Sequence, residues 1–385
     1  MRIPLKALVC AALLSLLSPL VATPPAAGAD RPAPVGVVQA VAATTTSLTL
    51  VWPQVAGATG YELDMASDVS LADRRRIATP QVNTATVTGL LPGVSYCFQV
   101  RAMAGRSAGL RSARTCKPTI RTQPVAPVAT YEVVTYNLCT IACPSWGSRR
   151  GPAARRILQI GADVVALQEN AADSRMAQRL RETYRLAAHM SGKSLLFRRD
   201  RFKMVRSGAI DLGHKPGAPV NHWAVWAELA DRAHAGKRVI FTSAHLVSGP
   251  DTVAIAGYRR ANTERLVAGI AKVNQAGVPV VHAGDFNSHK SKAYDTPAEV
   301  MAASGHYDAY DLAESLIRPN YNSGNQGRLE PRIGTRYGDH VDHVWVDPTT
   351  SRVLRWANRA RMSGSRYAGP LPSNHNPIAV RIKVT

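Results

Sequence analysis

The chain has 385 residues and carries 47 lysine and arginine side chains against 26 aspartate and glutamate side chains, a formal net charge of +21. This length excludes a single small domain and predicts two compact domains. The charge favours polyanionic partners such as nucleic acid, acidic lipid head groups or cell-wall polymers.

Residues 1–29 have the pattern of a secretory signal peptide. Arg2 and Lys6 precede a short apolar run, and small residues up to Ala29 fit a cleavage site. A transmembrane anchor is the alternative, but prolines interrupt a run already shorter than a bilayer span. We therefore expect a secreted, soluble protein that begins at Asp30.

Four cysteines remain beyond this segment: Cys97, Cys116, Cys139 and Cys143. An even number in an exported chain favours disulfides, and four cysteines allow three connectivities. Pairing of sequence neighbours, Cys97 with Cys116 and Cys139 with Cys143, is the favoured one. A zinc site is the weaker alternative, because no second ligand pair has the usual spacing.

Residues 30–120 predict an all-β sandwich. Segments of alternating apolar and polar side chains are separated by turn residues, at 47–52, 60–66, 84–90 and 96–103. Trp52 and Tyr61 are candidate core aromatics. The pattern Leu90-x-Pro92-Gly93-x-x-Tyr96 predicts a tyrosine corner at the start of a late strand.

This region resembles a fibronectin type III domain over nearly its whole length, and Cys97–Cys116 would then join its last two strands. It contains no histidine and no clustered acids, so we interpret it as a spacer whose own partner is unknown. The run Arg74-Arg75-Arg76 is interpreted as a solvated loop, with contact to a polyanion as the alternative.

Residues 121–130 are rich in proline and predict a linker. From 131 to 385 strands alternate with amphipathic helices, which are predicted at 152–161, 174–186 and 253–274. Thr296 to Glu299 has the pattern of a capping box with proline at the first helical position. The order of elements predicts two mixed sheets packed together and flanked by helices.

Polar side chains lie at the ends of the predicted strands of this second region. They are Asn137, Glu169, His245, Asp285, Asn287, Asp342, Asn374 and His375. An unpaired carboxylate is costly beside an apolar run. Acids and amides at several strand ends of one domain therefore predict a single polar centre at one edge of the sheets.

This set of side chains suits the cleavage of a phosphodiester. Glu169 and Asn137 could hold a hard divalent cation, with Mg²⁺ first and Mn²⁺ or Ca²⁺ as alternatives. Asp285 could orient or deprotonate the attacking water, while Asn287 holds a phosphate oxygen. Each of these assignments is an expectation about geometry.

Two histidines complete the expected catalytic group. Asp342 could fix His375 and keep it cationic, so that the imidazolium donates to the transition state. His245 would be a second donor or the general acid for the leaving group. Histidines 282, 289, 340 and 343 and the tryptophans at 223, 226 and 345 are assigned to packing or to the surface, and Asp308 and Asp311 to helix caps.

The segments TYNL, ALQE, SAHL, GDFNS, VDHVWV and SNHNPIAV, in this order, resemble the endonuclease/exonuclease/phosphatase superfamily. The resemblance covers residues 131–385. It implies a DNase I-like four-layered α/β sandwich, so the expected fold class is multidomain, with an N-terminal all-β fibronectin type III sandwich before that domain.

The resemblance also implies a Mg²⁺-dependent phosphoester hydrolase. It places the metal-binding residues of the superfamily on Glu169 and Asn137. The catalytic residues fall on Asp285, Asn287, Asp342 and His375, and the additional histidine of nuclease-like members falls on His245.

One position departs from the superfamily pattern. The usual Ser-Asp-His is here Ser373-Asn374-His375. That aspartate is normally near the metal, so Asn374 is assigned to the metal group, and weaker or altered metal binding is the expected consequence of the lost charge.

The substrate is expected to be DNA or RNA. Residues 123–385 hold 35 lysines and arginines against 21 aspartates and glutamates, and phosphate contacts supply much of the affinity for nucleic acid. A secreted phospholipid (sphingomyelinase-like) hydrolase or another phosphoesterase is the second expectation, with membrane lipid as partner. A binding protein with a degenerate hydrolase domain is the third. We expect a monomer.

Overall fold

Alternating side chains build an N-terminal β-sandwich. The computed structural model describes residues 31–124, 126–214 and 221–385, and the expected signal peptide lies outside them. One layer contains β1, β2 and β5, and the other contains β4, β3, β6, β7 and β8. The strands of this region are β1 (Gln39–Ala43), β2 (Leu48–Val51), β3 (Gly60–Ala66), β4 (Arg75–Ala78), β5 (Thr84–Val87), β6 (Ser95–Ala104), β7 (Ser107–Ala108) and β8 (Thr115–Pro118).

The core of this sandwich forms where the sequence predicts it. Trp52 and Tyr61 are buried, with ring centroids 5.4 Å apart in an edge-to-face arrangement. The hydroxyl of Tyr96 accepts the Leu91 N–H at 3.0 Å, which confirms the tyrosine corner. The Cys97–Cys116 disulfide joins β6 and β8 at directly paired positions, as expected.

The arginine run at 74–76 is exposed, as expected, but the interpretation as a loop is wrong for Arg75 and Arg76, which begin β4. Arg76 pairs with Glu62 at 2.8 Å, and Arg74 pairs with Asp64 at 3.6 Å. Residues two apart on β3 point to the same face of the sheet. The two acids therefore form a cluster on the outer face of the sandwich, which the sequence pattern did not reveal.

The second region has four layers. Its elements are β9 (Ala129–Asn137), α1 (Trp146–Ile160), β10 (Val164–Gln168), a 3₁₀ turn (Ala172–Ser174), α2 (Met176–Leu180), β11 (Tyr184–Met190), β12 (Lys193–Arg198), β13 (Phe202–Gly213), β14 (His222–Asp231), β15 (Arg238–His245), α3 (Val253–Val273), β16 (Val280–Asp285), α4 (Thr296–Ala303), β17 (Tyr307–Asp308), α5 (Ala309–Leu312), β18 (Ser315–Ile317), β19 (Asp342–Val346), β20 (Ser351–Asn358), β21 (Met362–Ser363), β22 (Arg366–Tyr367) and β23 (Ile378–Val384).

Two sheets face each other across the main core. One contains β11, β12, β10, β9, β23, β20 and β18, and the other contains β13 to β17 together with β19. Tyr131, Phe202 and Phe241 are in contact within the shared core. Helices α1 and α2 cover the outer face of the first sheet, and α3 and α4 cover that of the second. A β-sandwich followed by a four-layered α/β sandwich is thus the observed fold class.

Three predicted helix features are wrong. Helix α1 begins at Trp146 and contains Pro152 in its second turn, so this proline does not mark the helix start. The helix expected at 174–186 is short, because the chain from Tyr184 onward pairs with β12 as a strand. The Thr296 hydroxyl donates to the Ala256 carbonyl on α3 at 2.7 Å and does not cap α4.

The two regions share a sheet. Ala42 in β1 pairs with Ser315 in β18, which makes one ten-stranded sheet out of strands from both regions. The Cys116 N–H donates to the Arg336 carbonyl at 2.7 Å, and the buried Lys117 ammonium donates to the Asp311 carbonyl at 2.9 Å. The N-terminal sandwich is therefore docked against the second region, and the interpretation as a spacer has to be revised.

The expected linker at 121–130 has no helix or strand in its described residues before β9. Its Gln123 side chain donates to the Leu312 carbonyl at 3.0 Å and accepts the Val353 N–H at 2.7 Å. None of the helices within the described ranges has the length and apolarity that a membrane span requires.

Candidate active site

Strand register places the expected site residues side by side. In the parallel pair β9–β10, Asn137 lies opposite Gln168, so Glu169 follows at the same edge. His245 lies opposite Asp285 in β15–β16, and Asp285 lies opposite Asp342 in β16–β19. The two sheets thereby present their polar strand ends at one edge of the sandwich.

Asn137 connects the two sheets within this edge. Its side-chain nitrogen donates to Glu169 Oε1 at 2.9 Å and to Asp285 Oδ2 at 3.0 Å. Its side-chain oxygen accepts the Cys139 N–H at 2.9 Å. Because both amide groups are used, the orientation of this fully buried side chain is fixed.

The loop after β9 holds Glu169 in an unusual backbone conformation. Glu169 has a positive φ of 45°, which is uncommon for a residue other than glycine. Its carbonyl accepts both the N–H (3.1 Å) and the hydroxyl (2.7 Å) of Thr140. The Cys139–Cys143 disulfide, which pairs as expected, closes the loop that carries Thr140. Strain of this kind is typical of functional sites.

Asp342 holds His375 at the centre of the site. His375 Nδ1 lies 2.8 Å from Asp342 Oδ2, and Asp342 is fully buried. The other ring nitrogen, Nε2, lies 3.9 Å from Asp285 Oδ2. Burial opposes the charge on His375, but Asp342 and then Asp285 more than offset it and raise the pKa of His375 to about 9. The imidazole is therefore protonated at neutral pH.

Asp285 is surrounded by donors. Besides the Asn137 amide, its Oδ1 accepts the Asn287 N–H at 2.9 Å, and His245 Nε2 lies 3.5 Å from Oδ2. The Asn287 side chain donates to the Leu246 carbonyl at 3.0 Å. One amide hydrogen of Asn287 is thus used inside the protein, and a second remains for another acceptor.

The oxygen-rich donor set fits a hard divalent cation. Glu169 is half-buried, and its carboxylate accepts a hydrogen bond from the Asn137 amide. Carboxylate and amide oxygens are the ligands that Mg²⁺ and Ca²⁺ prefer. Asp285, Asp342 and His375 also bring one potential ligand atom each within 4.8 Å of one another. We favour the Glu169 side of the site, because a protonated imidazole has no lone pair for a metal.

Asn374 is the candidate metal ligand that the structure connects least to the others. Its side-chain oxygen lies 3.3 Å from the Ser373 hydroxyl, and its carbonyl accepts the N–H groups of Asn325 and Gln326. The described hydrogen bonds do not join its side chain to Glu169. All other expected residues are linked to Asp285, to Asp342 or to Asn137.

Several residues that support the site were not found from the sequence. The Ser323 hydroxyl accepts the Asp342 N–H at 3.1 Å, and the Ser373 hydroxyl donates to the Asn137 carbonyl at 2.6 Å. Asn325 donates to the Ser373 carbonyl at 3.1 Å. The polar run from 320 to 327, which contains asparagine, serine and glycine in close succession, is the signal that could have revealed part of this network.

Lys193 is a further neighbour that the sequence did not reveal. It begins β12 and is buried. Burial lowers its pKa to about 8, and the nearby Glu169 opposes that shift. At neutral pH a mostly protonated ammonium therefore lies near the candidate metal-binding carboxylate.

Comparison with known proteins places both regions. Residues 32–116 match the fibronectin type III domain, and residues 134–375 match the Endonuclease/Exonuclease/phosphatase family. The second match covers more than half of the chain and contains every candidate site residue.

Solved structures share the fold of the second region. An endonuclease/exonuclease/phosphatase family protein from Bacteroides thetaiotaomicron is 17% identical, with 68% of this chain and 99% of that chain covered and a TM-score of 0.53. A conserved protein of unknown function from Enterococcus faecalis is 16% identical (66% and 100% covered, TM-score 0.51). A mannosyl-6-phosphatase from Bacteroides thetaiotaomicron is 17% identical (66% and 99%, TM-score 0.50). At these identities the likeness concerns the fold.

Proposed function

The chain belongs to the endonuclease/exonuclease/phosphatase family, a family of phosphoester hydrolases, and we propose that it is a secreted, divalent-cation-dependent nuclease. The observation that carries the proposal is the Asp342–His375 pair directed at Asp285. It places a protonated imidazole nitrogen 3.9 Å from the Asp285 carboxylate, so that a cationic donor and a carboxylate face one position. Hydrolysis of a phosphodiester needs a positioned base and a cationic hydrogen-bond donor of this kind.

Asp285 orients the attacking water and takes its proton. The Asn137 amide and the Asn287 N–H fix the carboxylate, so its position does not have to change as the water attacks phosphorus. The oxygen of the water forms the new bond to phosphorus, and the bond from phosphorus to the ester oxygen breaks.

The two histidines stabilise the charge that this step creates. His375 donates its Nε2 proton towards a phosphate oxygen while Asp342 holds Nδ1. His245, whose Nε2 lies 3.5 Å from Asp285, supplies the proton for the leaving oxygen. The second amide hydrogen of Asn287 is left for another phosphate oxygen.

Glu169 and Asn137, with Asn374 as the further candidate, are the residues that would hold the cation. When bound, Mg²⁺ would neutralise part of the phosphate charge.

The basic charge supports nucleic acid as the substrate, and the disulfides support secretion. The surplus of basic side chains in residues 123–385 favours a long polyanion over a small phosphomonoester. Two disulfides and a fibronectin type III domain are typical of proteins that leave the reducing cytosol.

The experiment is turnover by the full-length chain on plasmid DNA, structured RNA and sphingomyelin, with Mg²⁺ and with EDTA. We expect cation-dependent cleavage of nucleic acid. The matched variant is Glu169→Gln, which keeps the shape of the side chain and removes its charge. It should lose at least about 100-fold in rate.

Three results would decide against the proposal. Hydrolysis of sphingomyelin alone would move the assignment to a phospholipid hydrolase. Equal activity in EDTA would contradict the need for a cation. A folded protein without turnover on any substrate would favour a binding protein with a degenerate hydrolase domain.

A further inference from the structure

A cavity of about 110 Å³ opens beside the candidate active site. Its lining includes His375, but it does not include Glu169, Asp285 or Asp342. The walls come from α1, from the stretch that follows β20 and from the segment that leads into Ser373. The cavity is therefore a separate space that shares one residue with the catalytic group.

Four arginines surround this cavity: Arg155 and Arg156 from α1, and Arg359 and Arg361 from the stretch after β20. Arg156 and Arg359 are half-buried, whereas Arg155 and Arg361 are exposed at the rim. The described residues that line the cavity include no aspartate or glutamate. Within the described residues, none of the four forms an ion pair with a carboxylate.

The electrostatic state of Arg156 is unusual. Its Nη2 donates to the Arg359 carbonyl, and its Nε is buried without a hydrogen-bond partner. Burial and the guanidinium of Arg359 lower the pKa of Arg156 to about 10. A buried donor that lacks an acceptor costs free energy, as do like charges at short range. An anion in the cavity would reduce the repulsion between these guanidinium groups.

Several other partly buried arginines of this protein have carboxylate partners. Arg201 pairs with Asp231 at 3.2 Å, and both Arg206 and Arg238 pair with Glu228 at 2.7 Å. The fully buried Arg259 has none and donates to the Val247 and Gly249 carbonyls instead. Within the described residues the four arginines of the cavity also have no carboxylate partner, so a counter-charge for them would come from a ligand.

The other residues that line the cavity indicate the chemistry of the rest of the ligand. Pro152, Pro370, Leu371, Pro372 and Pro377 present apolar surface beside the arginines. A cavity with apolar walls and convergent cationic groups suits a ligand with a flat apolar part and a phosphate. A nucleotide unit of a polynucleotide has both parts. A phosphosugar or a single phosphate would use only the arginines.

We propose that Arg155, Arg156, Arg359 and Arg361 form a subsite for the nucleotide that flanks the scissile phosphate in a nucleic acid strand. The proposal rests on the nuclease function proposed above and adds the condition that the substrate carries at least two phosphates. His375 touches both spaces, so one strand can occupy the subsite while its neighbouring phosphate lies at Asp285.

The direct test is binding of a short, fluorescently labelled single-stranded DNA oligonucleotide to the full-length chain in EDTA, measured by anisotropy. Arg155→Ala/Arg361→Ala changes the exposed rim, so the fold is expected to persist. We expect the dissociation constant to rise about 10-fold and the slope of affinity against salt to become shallower by about 1. Arg155→Lys/Arg361→Lys should recover most of the affinity, because phosphate also accepts a point charge.

The matched control is Arg185→Ala/Lys203→Ala. These exposed cations line a cavity at the far end of β12 from Lys193, and the control removes the same charge. It should change the dissociation constant by less than about 3-fold. Equal weakening in the rim variant and in this control would overturn the subsite.

Kinetics separate the subsite from the nuclease function. Bis(4-nitrophenyl) phosphate is a diester with one phosphate and no flanking nucleotide. In the rim variant, the rise in KM for the oligonucleotide should exceed that for this small diester by at least about 5-fold. Equal rises would contradict the subsite. If the unmodified chain turns over neither substrate, the nuclease proposal fails, and the anisotropy result still decides whether the subsite exists.

Discussion

Two buried histidine–aspartate pairs lie close together in this protein, and they share the same basic geometry. His375 Nδ1 lies 2.8 Å from Asp342 Oδ2, and His343 Nδ1 lies 2.8 Å from Asp308 Oδ2. Burial opposes the charge on both histidines, and in each case the partner carboxylate raises the pKa of the histidine to about 9. Distance and protonation state therefore do not distinguish the two pairs.

The second ring nitrogen distinguishes them. His343 Nε2 lies 2.9 Å from the Ser288 carbonyl, so it is used within the protein. His375 Nε2 faces Asp285 at 3.9 Å and lies beside the cavity of the arginines. A raised pKa thus marks both catalytic and structural ion pairs. Within the described residues His375 Nε2 has no hydrogen-bond partner, and this nitrogen distinguishes the proposed catalytic pair from the structural one.

The largest expected effect is that of Asp342→Asn on turnover. Without the carboxylate, the pKa of His375 falls and its orientation is lost, so the transition state loses a charged donor. We expect kcat to fall by about 10²–10⁴-fold, measured on the nucleic acid substrate that the wild-type chain cleaves best. Thermal unfolding of the variant is the control for folding. A loss of less than 10-fold in a folded variant would contradict the role of the pair.

Asp308→Asn should affect stability and leave the chemistry nearly unchanged. It removes the counter-charge that keeps the buried His343 protonated, and removal of one partner of a buried pair costs about 3–5 kcal/mol. Urea unfolding measures the loss, and kcat of the folded fraction should stay within about 3-fold of wild type. A large drop in kcat at unchanged stability would make the two pairs equivalent.

The pH dependence of the free energy of unfolding should differ between the wild-type protein and Asp308→Asn. The pKa of His343 is raised to about 9 from an ordinary value of 6.5, so the folded state keeps the proton longer than the unfolded state. The stability that the pair contributes is fully present below about pH 6.5 and is lost as the pH rises through about 9. The wild-type free energy of unfolding should therefore decline over this window.

Asp308→Asn should decline less over the same window, because its His343 no longer has a raised pKa. The measurement is urea unfolding of both proteins at about pH 6, pH 7.5 and pH 9.5. The His375–Asp342 pair contributes equally to both proteins and cancels in the difference. Parallel curves would show that His343 does not carry the effect.

The smallest expected effect is that of Asn374→Asp. This substitution adds a negative charge beside the Asp342–His375 pair and leaves the Asp308–His343 pair unchanged. If Asn374 is near the cation, the half-saturating Mg²⁺ concentration should fall by about 3- to 10-fold. Titration of activity with Mg²⁺ measures this change. Gln326→Glu serves as a nearby charge control, because the Gln326 side chain is exposed and its backbone N–H donates to the Asn374 carbonyl. An unchanged Mg²⁺ dependence would remove Asn374 from the metal group.

The clustering of the site residues could be predicted from the sequence, because they lie at strand ends and strand pairing brings those ends together. Asn137, Glu169, Asp285, Asp342 and His375 each close or flank an apolar run, and the register of the sheets places them at one edge. The tyrosine corner and both disulfides could be predicted for the same reason, since their signals are local in sequence.

What the sequence could not reveal depends on contacts between distant segments. His343 was assigned to strand packing and Asp308 to a cap. Asp308 does accept the Tyr310 N–H at 3.0 Å, but its pairing with His343 arises only when β17 and β19 meet. Helix boundaries failed at Pro152 because a proline typical of a helix start is here tolerated in the second turn.

The sheet shared by β1 and β18 has a consequence for where the chain can be divided. A fragment that starts after residue 120 would keep β18 but lose the strand that covers its outer edge. An open edge of unpaired N–H and C=O groups invites pairing with other copies, and so promotes aggregation. The boundary between the fibronectin type III region and the second region is therefore a poor place to truncate this protein. We expect the two regions to stay soluble only when they are expressed together.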